Sequence, residues 1–306
     1  MVQHFLSVLD AGKKGFSRLL TLSQQVKKNP KRYNKTLYEK VLLTFFAAPS
    51  LRTELSFDAA MFQMGGEVID YHAEVSPWAK GKESLEDVAK VVSRYCDAVM
   101  IRMNDHSAIL KFAKNASIPV INGLSNVEHP CQAVADVLTI LEKKKKLKGL
   151  TLAYVGDSNN NATHSLVYAA TLVGINIRIG CPKGREFSPD PKIVARARKL
   201  GGKVFVTDNP LEAVKNADVV YTDSWMSYHI PPSQKKKRIK IFRPYQVNEK
   251  LMKHAKKNAI FMHCLPALRG MEVTKGVIDG KQSVVFQQAE NRMHTEKAIL
   301  LHVLKA

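Results

Sequence analysis

Short, widely separated segments of this 306-residue chain carry side chains suited to an anion, a carbonyl and an amine. Ser50-Leu51-Arg52-Thr53 stands between an apolar run of strand length and a helical pattern. Ser50 is a good N-cap, and first-turn N–H groups at the positive end of the helix dipole bind phosphate readily. Arg52 adds a bidentate fork, and Ser50 and Thr53 add hydroxyl donors. His129-Pro130-Cys131-Gln132 opens a second helix, with Pro130 suited to its first turn. His129 and Gln132, three apart, share one face. There an imidazole and an amide can donate to a carbonyl oxygen while accepting from an NH₂ group.

The second half offers a different set. Asp157-Ser158-Asn159-Asn160-Asn161 follows an apolar run and supplies uncharged donors and acceptors suited to an amino acid's backbone groups. Asp223-Ser224-Trp225-Met226-Ser227-Tyr228 places a carboxylate and a hydroxyl after another run. Met262-His263-Cys264-Leu265-Pro266-Ala267-Leu268-Arg269-Gly270 lies at the end of a third, where open α/β sheets bind ligands. Adjacent residues on a strand face opposite ways, so His263 is not expected to serve as a base for Cys264. No His, Cys and carboxylate residues have metal-ligand spacing, and no metal or organic cofactor is expected. Gly156 stands alone without a Gly-x-Gly-x-x-Gly pattern, which argues against a dinucleotide.

The elements that must position these residues alternate. Strands are expected at Val41 to Phe46, Val68 to Tyr71, Ala98 to Ile101 and Pro119 to Ile121. Further strands are expected at Leu150 to Val155, Asn176 to Ile179, Val204 to Val206, Asp218 to Tyr221, Ala259 to Phe261 and Val284 to Phe286. Helical periodicity lies between most of them, as in Leu55, Ala59 and Phe62 before Gly65-Gly66, or Val88, Val91 and Val92 within Glu83 to Tyr95. The expected class is α/β: two doubly wound parallel-sheet domains, Rossmann-like without the dinucleotide fingerprint, joined by interdomain helices with a cleft between them. The division is expected near residue 148, giving domains 1–148 and 149–287.

Taken together and in this order, these segments resemble the aspartate/ornithine transcarbamylase family, most closely its ornithine branch. The resemblance runs from His4-Phe5-Leu6 to the last helix, expected at residues 288–306 and, in the family, packing back on the first domain. It implies transfer of a carbamoyl group from carbamoyl phosphate to the δ-amine of L-ornithine, giving citrulline and phosphate. Carbamoyl phosphate would be held by Ser50, Leu51, Arg52, Thr53, Arg102, His129, Gln132, Cys264, Leu265 and Arg292. Of these, Arg102, His129, Cys264 and Arg292 would be catalytic, and ornithine would contact Asn161, Asp223, Ser227 and Tyr228. Trp78, Lys80 and Lys82 match a loop that reaches a neighbouring subunit's site, and a homotrimer or a larger assembly of trimers is implied.

Three departures stand out. The family pattern Phe-x-Lys-x-Ser-x-Arg-Thr-Arg keeps Phe46, Ser50, Arg52 and Thr53, but Ala48 replaces the Lys and Glu54 the last Arg. Tyr228 and His229 stand where ornithine enzymes usually have Met-Gly, which keeps another amine such as putrescine as the alternative substrate. The loop Ser76 to Ser84 lacks the usual Gln. An aspartate enzyme would have His-Pro-Leu-Pro in place of His263-Cys264-Leu265-Pro266.

Bulk properties agree with a globular enzyme. No apolar run approaches the ~20 residues of a membrane helix. The start lacks a basic region before an apolar core, and the four cysteines form no CxxC pair, so a cytoplasmic protein with reduced thiols is expected. Net charge is +20. The basic runs Lys143 to Lys148 and Lys235 to Arg238 lack interleaved aromatics or a nucleic-acid motif, and read as solvated surface rather than a specific nucleic-acid site. Their field would still steer a phosphate dianion.

Overall fold

The computed structural model describes residues 2–73, 76–226 and 230–305. They form two compact units, Met1–Leu138 with Glu290–Ala306, and Thr139–Ala289. Each unit is built on one parallel sheet, and the chain is α/β throughout.

In the first unit, strands β1 (Val41–Phe46), β2 (Glu67–His72), β3 (Ala98–Arg102) and β4 (Val120–Leu124) are ordered β2-β1-β3-β4. Helices α1 (Gly12–Lys28), α2 (Leu51–Phe62), α3 (Leu85–Tyr95) and α4 (His106–Asn115) surround them, and α5 (Pro130–Lys144) follows β4. Nearly every residue of β1, β3 and β4 is buried, which is why they read as continuous apolar runs. Phe45, Val99, Ile101, Phe112 and Val120 are among the residues of the core. From β1 the chain passes to β2 on one side and then to β3 on the other. The carboxyl ends of β1 and β3 therefore flank a topological switch point, where such sheets place ligands.

Helix α2 forms as expected, but its buried face is Thr53, Phe57, Ala60 and Met61. Leu55 (58% accessible) and Phe62 (82%) point outward. Both faces carry apolar residues, so periodicity detects the helix without choosing its inner side. Gly65 lies beyond the helix at φ +81°, and a Cβ there would sit 2.9 Å from the Asn34 carbonyl oxygen. Only glycine meets both conditions.

The second unit orders β5 (Thr151–Val155), β6 (Asn176–Gly180), β7 (Val204–Thr207), β8 (Val219–Tyr221) and β9 (Ile260–Met262) as β7-β6-β5-β8-β9. Its switch point lies between β5 and β8. Helix α6 (Asn161–Val173) follows β5, and α7 (Pro191–Lys199) and α8 (Lys235–Phe242) come later in the chain. The strand expected at Val284 to Phe286 is absent. Val285 instead begins the long α9 (Val285–Leu304). A three-residue apolar run cannot separate the two states, and the helix-forming residues after it decide.

The second basic run is also not all solvated. Lys235, Lys236 and Lys237 are exposed, but Arg238 is buried, paired with Asp157 and donating from Nε to the Trp225 carbonyl oxygen at 2.7 Å. Its guanidinium lies 4.9 Å from the Phe242 ring centroid, and Phe242 stacks on the fully buried Trp225. This cluster pins the start of the segment after β8.

Candidate active site

The first unit gathers its expected residues from four elements. Ser50 caps α2, its hydroxyl accepting from the Thr53 N–H at 3.2 Å. That cap turns the Thr53 side chain inward, and its Oγ1 accepts from Arg102 Nη1 and from Arg292 Nη2, each at 3.3 Å. Arg102 ends β3, and Arg292 projects from α9. Arg292 Nη1 donates to Gln132 Oε1 at 2.9 Å, while Gln132 Nε2 donates to Asp136 Oδ1 at 2.8 Å, which fixes the direction of the amide. Thr53, Arg102, Gln132 and Arg292 are all almost fully buried.

His129 immediately precedes α5 and is 7% accessible. Burial and then the charges of Arg292, Arg102 and Arg52 hold its pKa well below the ordinary histidine value, so the ring is neutral at physiological pH. That cause places all three arginines within electrostatic reach of one imidazole. Burial raises the Cys131 thiol far above its usual range, and its Sγ donates to the Asn122 carbonyl oxygen at 3.5 Å. Leu51 is exposed and contributes its place in the first turn rather than a buried side chain.

Two carboxylates of this cluster are not among the expected site residues. Glu296, fully buried, accepts from Arg292 Nε at 2.9 Å and Nη2 at 2.6 Å through one oxygen. Asp136 orients Gln132. Both stand four residues after the group they hold, the spacing at which helical side chains meet. That spacing was available in the sequence; their burial was not.

Trp78 packs edge-on against Phe45, with ring centroids 5.7 Å apart. The turn beyond it closes through Gly81 N–H to the Trp78 carbonyl and Lys82 N–H to the Pro77 carbonyl, both 2.9 Å. Lys80 and Lys82 are exposed. The structure therefore anchors this loop at Trp78 and leaves both lysines exposed.

In the second unit the residues follow strand ends. Asn160, rather than Asn161, is the buried member of the asparagine run. It caps α6 by accepting from Thr163 N–H at 2.8 Å and donates to the Asp157 carbonyl at 2.7 Å. Asn161 is half-buried at the first position of that helix. Asp223 follows β8, and Cys264 follows β9. The Cys264 thiol donates to Asp223 Oδ1 at 3.2 Å, and the Ser224 N–H donates to the same oxygen at 2.8 Å. Ser227 and Tyr228 lie outside the described residues.

At His263 the arrangement changes the reason for the expectation and not its outcome. Strand β9 ends at Met262, so strand alternation does not apply beyond it. Ligand atoms of Asp223, His263 and Cys264 lie within 4.8 Å of one another, and the fold thus assembles a trio that no sequence spacing displayed. His263 already has protein partners: Nδ1 accepts from the Leu265 N–H at 2.8 Å, and Nε2 faces the buried Glu272 carboxylate at 3.3 Å. Those contacts support Leu265, which holds a left-handed φ of 58° before a cis bond to Pro266. A left-handed φ costs a non-glycine residue roughly 1–2 kcal/mol. The thiol's hydrogen bond goes to Asp223, not to the imidazole.

Chemically, the first cluster presents converging guanidinium and amide donors beside a neutral imidazole, suited to an anion and a polar carbonyl. The second presents a carboxylate, a thiol and a constrained backbone turn, suited to an amine.

Similarity to known proteins agrees with this division. The family model for the carbamoyl-P binding domain of aspartate/ornithine carbamoyltransferase matches residues 3–142, and that for its Asp/Orn binding domain matches residues 148–303. An ornithine carbamoyltransferase of Archaeoglobus fulgidus is 44% identical over 305 residues, covering 99% of this chain and 98% of that protein. One from Anoxybacillus flavithermus is 45% identical, covering 98% of this chain and 96% of that protein. The solved ornithine carbamoyltransferase of Pyrococcus furiosus is similar with a TM-score of 0.93 at 42% identity, covering 99% of this chain and 97% of the other. With both family models matched along nearly its whole length, this chain belongs to the aspartate/ornithine carbamoyltransferase family.

Proposed function

We propose that this chain is an ornithine carbamoyltransferase, moving the carbamoyl group of carbamoyl phosphate to the δ-amine of L-ornithine to give L-citrulline and phosphate. The observation that carries this reading is the convergence of Arg102 and Arg292 on Thr53, with Gln132 bound to Arg292, at the capped start of α2. The relatives' names supply the amine.

The phosphate of the donor is held by Ser50, Arg52 and Thr53 at the helix N-terminus. His129, kept neutral, donates from one ring nitrogen to the carbamoyl oxygen, while Gln132 addresses the NH₂ group. Attack by the amine makes a tetrahedral oxyanion, and Arg52, Arg102, His129 and Arg292 stabilise the charge that develops. Asp223 pairs with the α-ammonium group of ornithine, Asn161 addresses its α-carboxylate, and Ser227 and Tyr228 complete the contact. Cys264 and the Leu265 backbone line the position of the side-chain amine and the carbamoyl NH₂. An alkyl amine has an ordinary pKa near ~10.4, so its neutral form must be bound or generated. The departing phosphate can accept the proton that the amine loses, so no further protein acid is required.

Assembly belongs to the same proposal. Leu51, Leu55 and Phe62 on α2, Ile69 on the edge strand β2 and Tyr95 on α3 are exposed apolar residues of the first unit. Such a surface suits a protein contact, which supports a homotrimer or a larger assembly in which Trp78, Lys80 and Lys82 serve a neighbouring subunit. Sedimentation tests this: Phe62→Asp is expected to lower the assembled mass. The four cysteines are free thiols, which suits a reducing cytoplasm. Among the described residues no helix is long and apolar enough to cross a membrane.

The activity is tested by following ureido product from carbamoyl phosphate with L-ornithine, putrescine, L-aspartate, L-lysine and N-acetylornithine. Preference for ornithine is expected. Preference for another amine would retain the carbamoyl phosphate chemistry and overturn the assignment of substrate.

A further inference from the structure

Arg292 has five N–H donors, and the described structure shows where four of them go. Nε and one Nη2 hydrogen are taken by Glu296 Oε1, the other Nη2 hydrogen by Thr53 Oγ1, and one Nη1 hydrogen by Gln132 Oε1. One Nη1 hydrogen is left for a ligand. Which edge of the guanidinium is left open is decided by the residue that occupies the opposite edge, and that residue is Glu296. Its other oxygen, Oε2, is buried and has no hydrogen-bond partner among the described residues. A buried carboxylate with one orphaned oxygen is costly.

We propose that Glu296 is a positioning residue for carbamoyl phosphate: it holds the guanidinium of Arg292 so that its remaining Nη1 hydrogen faces the ligand beside Thr53 and Gln132. This inference rests on the reading of that cluster as the carbamoyl phosphate site.

The charge of Glu296 matters as well as its geometry. Ionised, it cancels the charge of Arg292 locally; protonated, it leaves that charge to the ligand. Burial raises its pKa to about 7, with Arg292 opposing the rise and Asp58 adding to it. Asp58, on α2, is itself raised to about 6 by burial and then by Asp70 and Glu54. From α5, the Cys131 thiol faces the same carboxylate and stays protonated. Glu54 stands where the family pattern has an arginine and adds to the rise at Asp58, which in turn adds to the rise at Glu296 behind Arg292. The grip on carbamoyl phosphate should therefore tighten as pH falls through neutrality.

Two variants separate the roles. Glu296→Gln keeps an oxygen to accept from Arg292 and removes the charge; Glu296→Ala removes both. The expected result for Ala is a loss of about 10- to 100-fold in kcat/KM for carbamoyl phosphate, with KM for ornithine within about twofold of wild type. Gln is expected to keep kcat within about twofold, because the oxygen that holds Arg292 remains. The ratio of carbamoyl phosphate KM, wild type over Gln, is expected near one at pH 6. It should rise about three- to tenfold by pH 8.5, the range of one partly screened charge. The ratio removes the ligand's own titration. An Ala variant with unchanged kinetics and only a lower melting temperature would overturn the positioning role; a flat ratio would overturn the charge role. Should the wild type carbamoylate no amine, the functional reading fails. Calorimetric affinity for inorganic phosphate, compared among wild type, Gln and Ala, then decides this inference alone: a weaker Ala variant supports it, and equal affinities overturn it.

Discussion

The arginine cluster of the first unit and the thiol–carboxylate site of the second solve different recognition problems. In the first, Thr53, Arg102, Gln132, Arg292 and Glu296 are nearly inaccessible and bonded to one another before any ligand arrives. In the second, Asp223 and Cys264 are half-buried, share one hydrogen bond and sit on segments that follow strand ends. A dianion demands fixed opposing charge, and the reorganisation is avoided by building it in advance. An amine needs one carboxylate and a shaped turn. The lesson is that the first site should be brittle and the second adjustable.

The largest effect should come from the first site. Arg52→Ala is expected to lose roughly 3–4 kcal/mol of transition-state stabilisation, on the order of 10²–10³ in kcat/KM, and to abolish carbamoyl phosphate binding by calorimetry without lowering folded content. Near-normal turnover would remove Arg52 from the phosphate role and blur the contrast.

A smaller and more selective effect is expected in the second site. Asp223→Asn should raise KM for ornithine by about 10- to 100-fold, the worth of a charge-assisted bond of ~1.5–3 kcal/mol, while KM for carbamoyl phosphate moves little. Steady-state kinetics with each substrate varied in turn would show it. An equal rise in both constants would mean that the two groups of residues are not divided by substrate. Cys264→Ala should cost less again, about tenfold in kcat, because the thiol donates a hydrogen bond rather than forming a bond to the substrate. Complete loss of turnover, with an adduct trapped on the wild-type thiol in mass spectrometry, would revive a covalent route.

The smallest effect concerns stability and pH in the first site. His129 has its pKa lowered by burial, so the unfolded chain binds that proton first and stability falls as pH drops below about 6.5. Glu296 is raised from 4.5 to about 7, so the folded chain binds its proton more tightly and stability increases as pH falls from about 7 towards 4.5. The two contributions oppose each other over one window. Glu296→Gln removes one of them, and its melting temperature relative to wild type should fall by a few degrees between pH 7.5 and 5.5. A constant difference across that range would show that Glu296 does not titrate there.

Much of this was legible without coordinates. The buried parallel strands appear as unbroken apolar runs because both faces are covered, and the site segments follow them because parallel sheets leave their carboxyl ends to loops. Ser50, Arg52, Thr53, His129, Gln132, Asp223 and Cys264 belong to short motifs whose chemistry depends on residue type and spacing. Where the local signal is symmetric, it leaves the outcome open: periodicity does not choose the inner face of α2, and the short apolar run at Val284 to Phe286 fits a strand although the chain forms a helix from Val285.

What the chain determined by itself, then, is the class of fold, the order of its elements and the motif residues, all of which follow from local propensity and hydrophobic pattern. What only the tertiary structure decided is partnership. Arg238 leaves a basic surface run to meet Asp157, His263 turns to Leu265 and Glu272 instead of Cys264, and Glu296 claims an edge of Arg292. Each of these is a buried polar contact whose strength comes from exclusion of water. Burial belongs to the packed whole, and no window of sequence contains it.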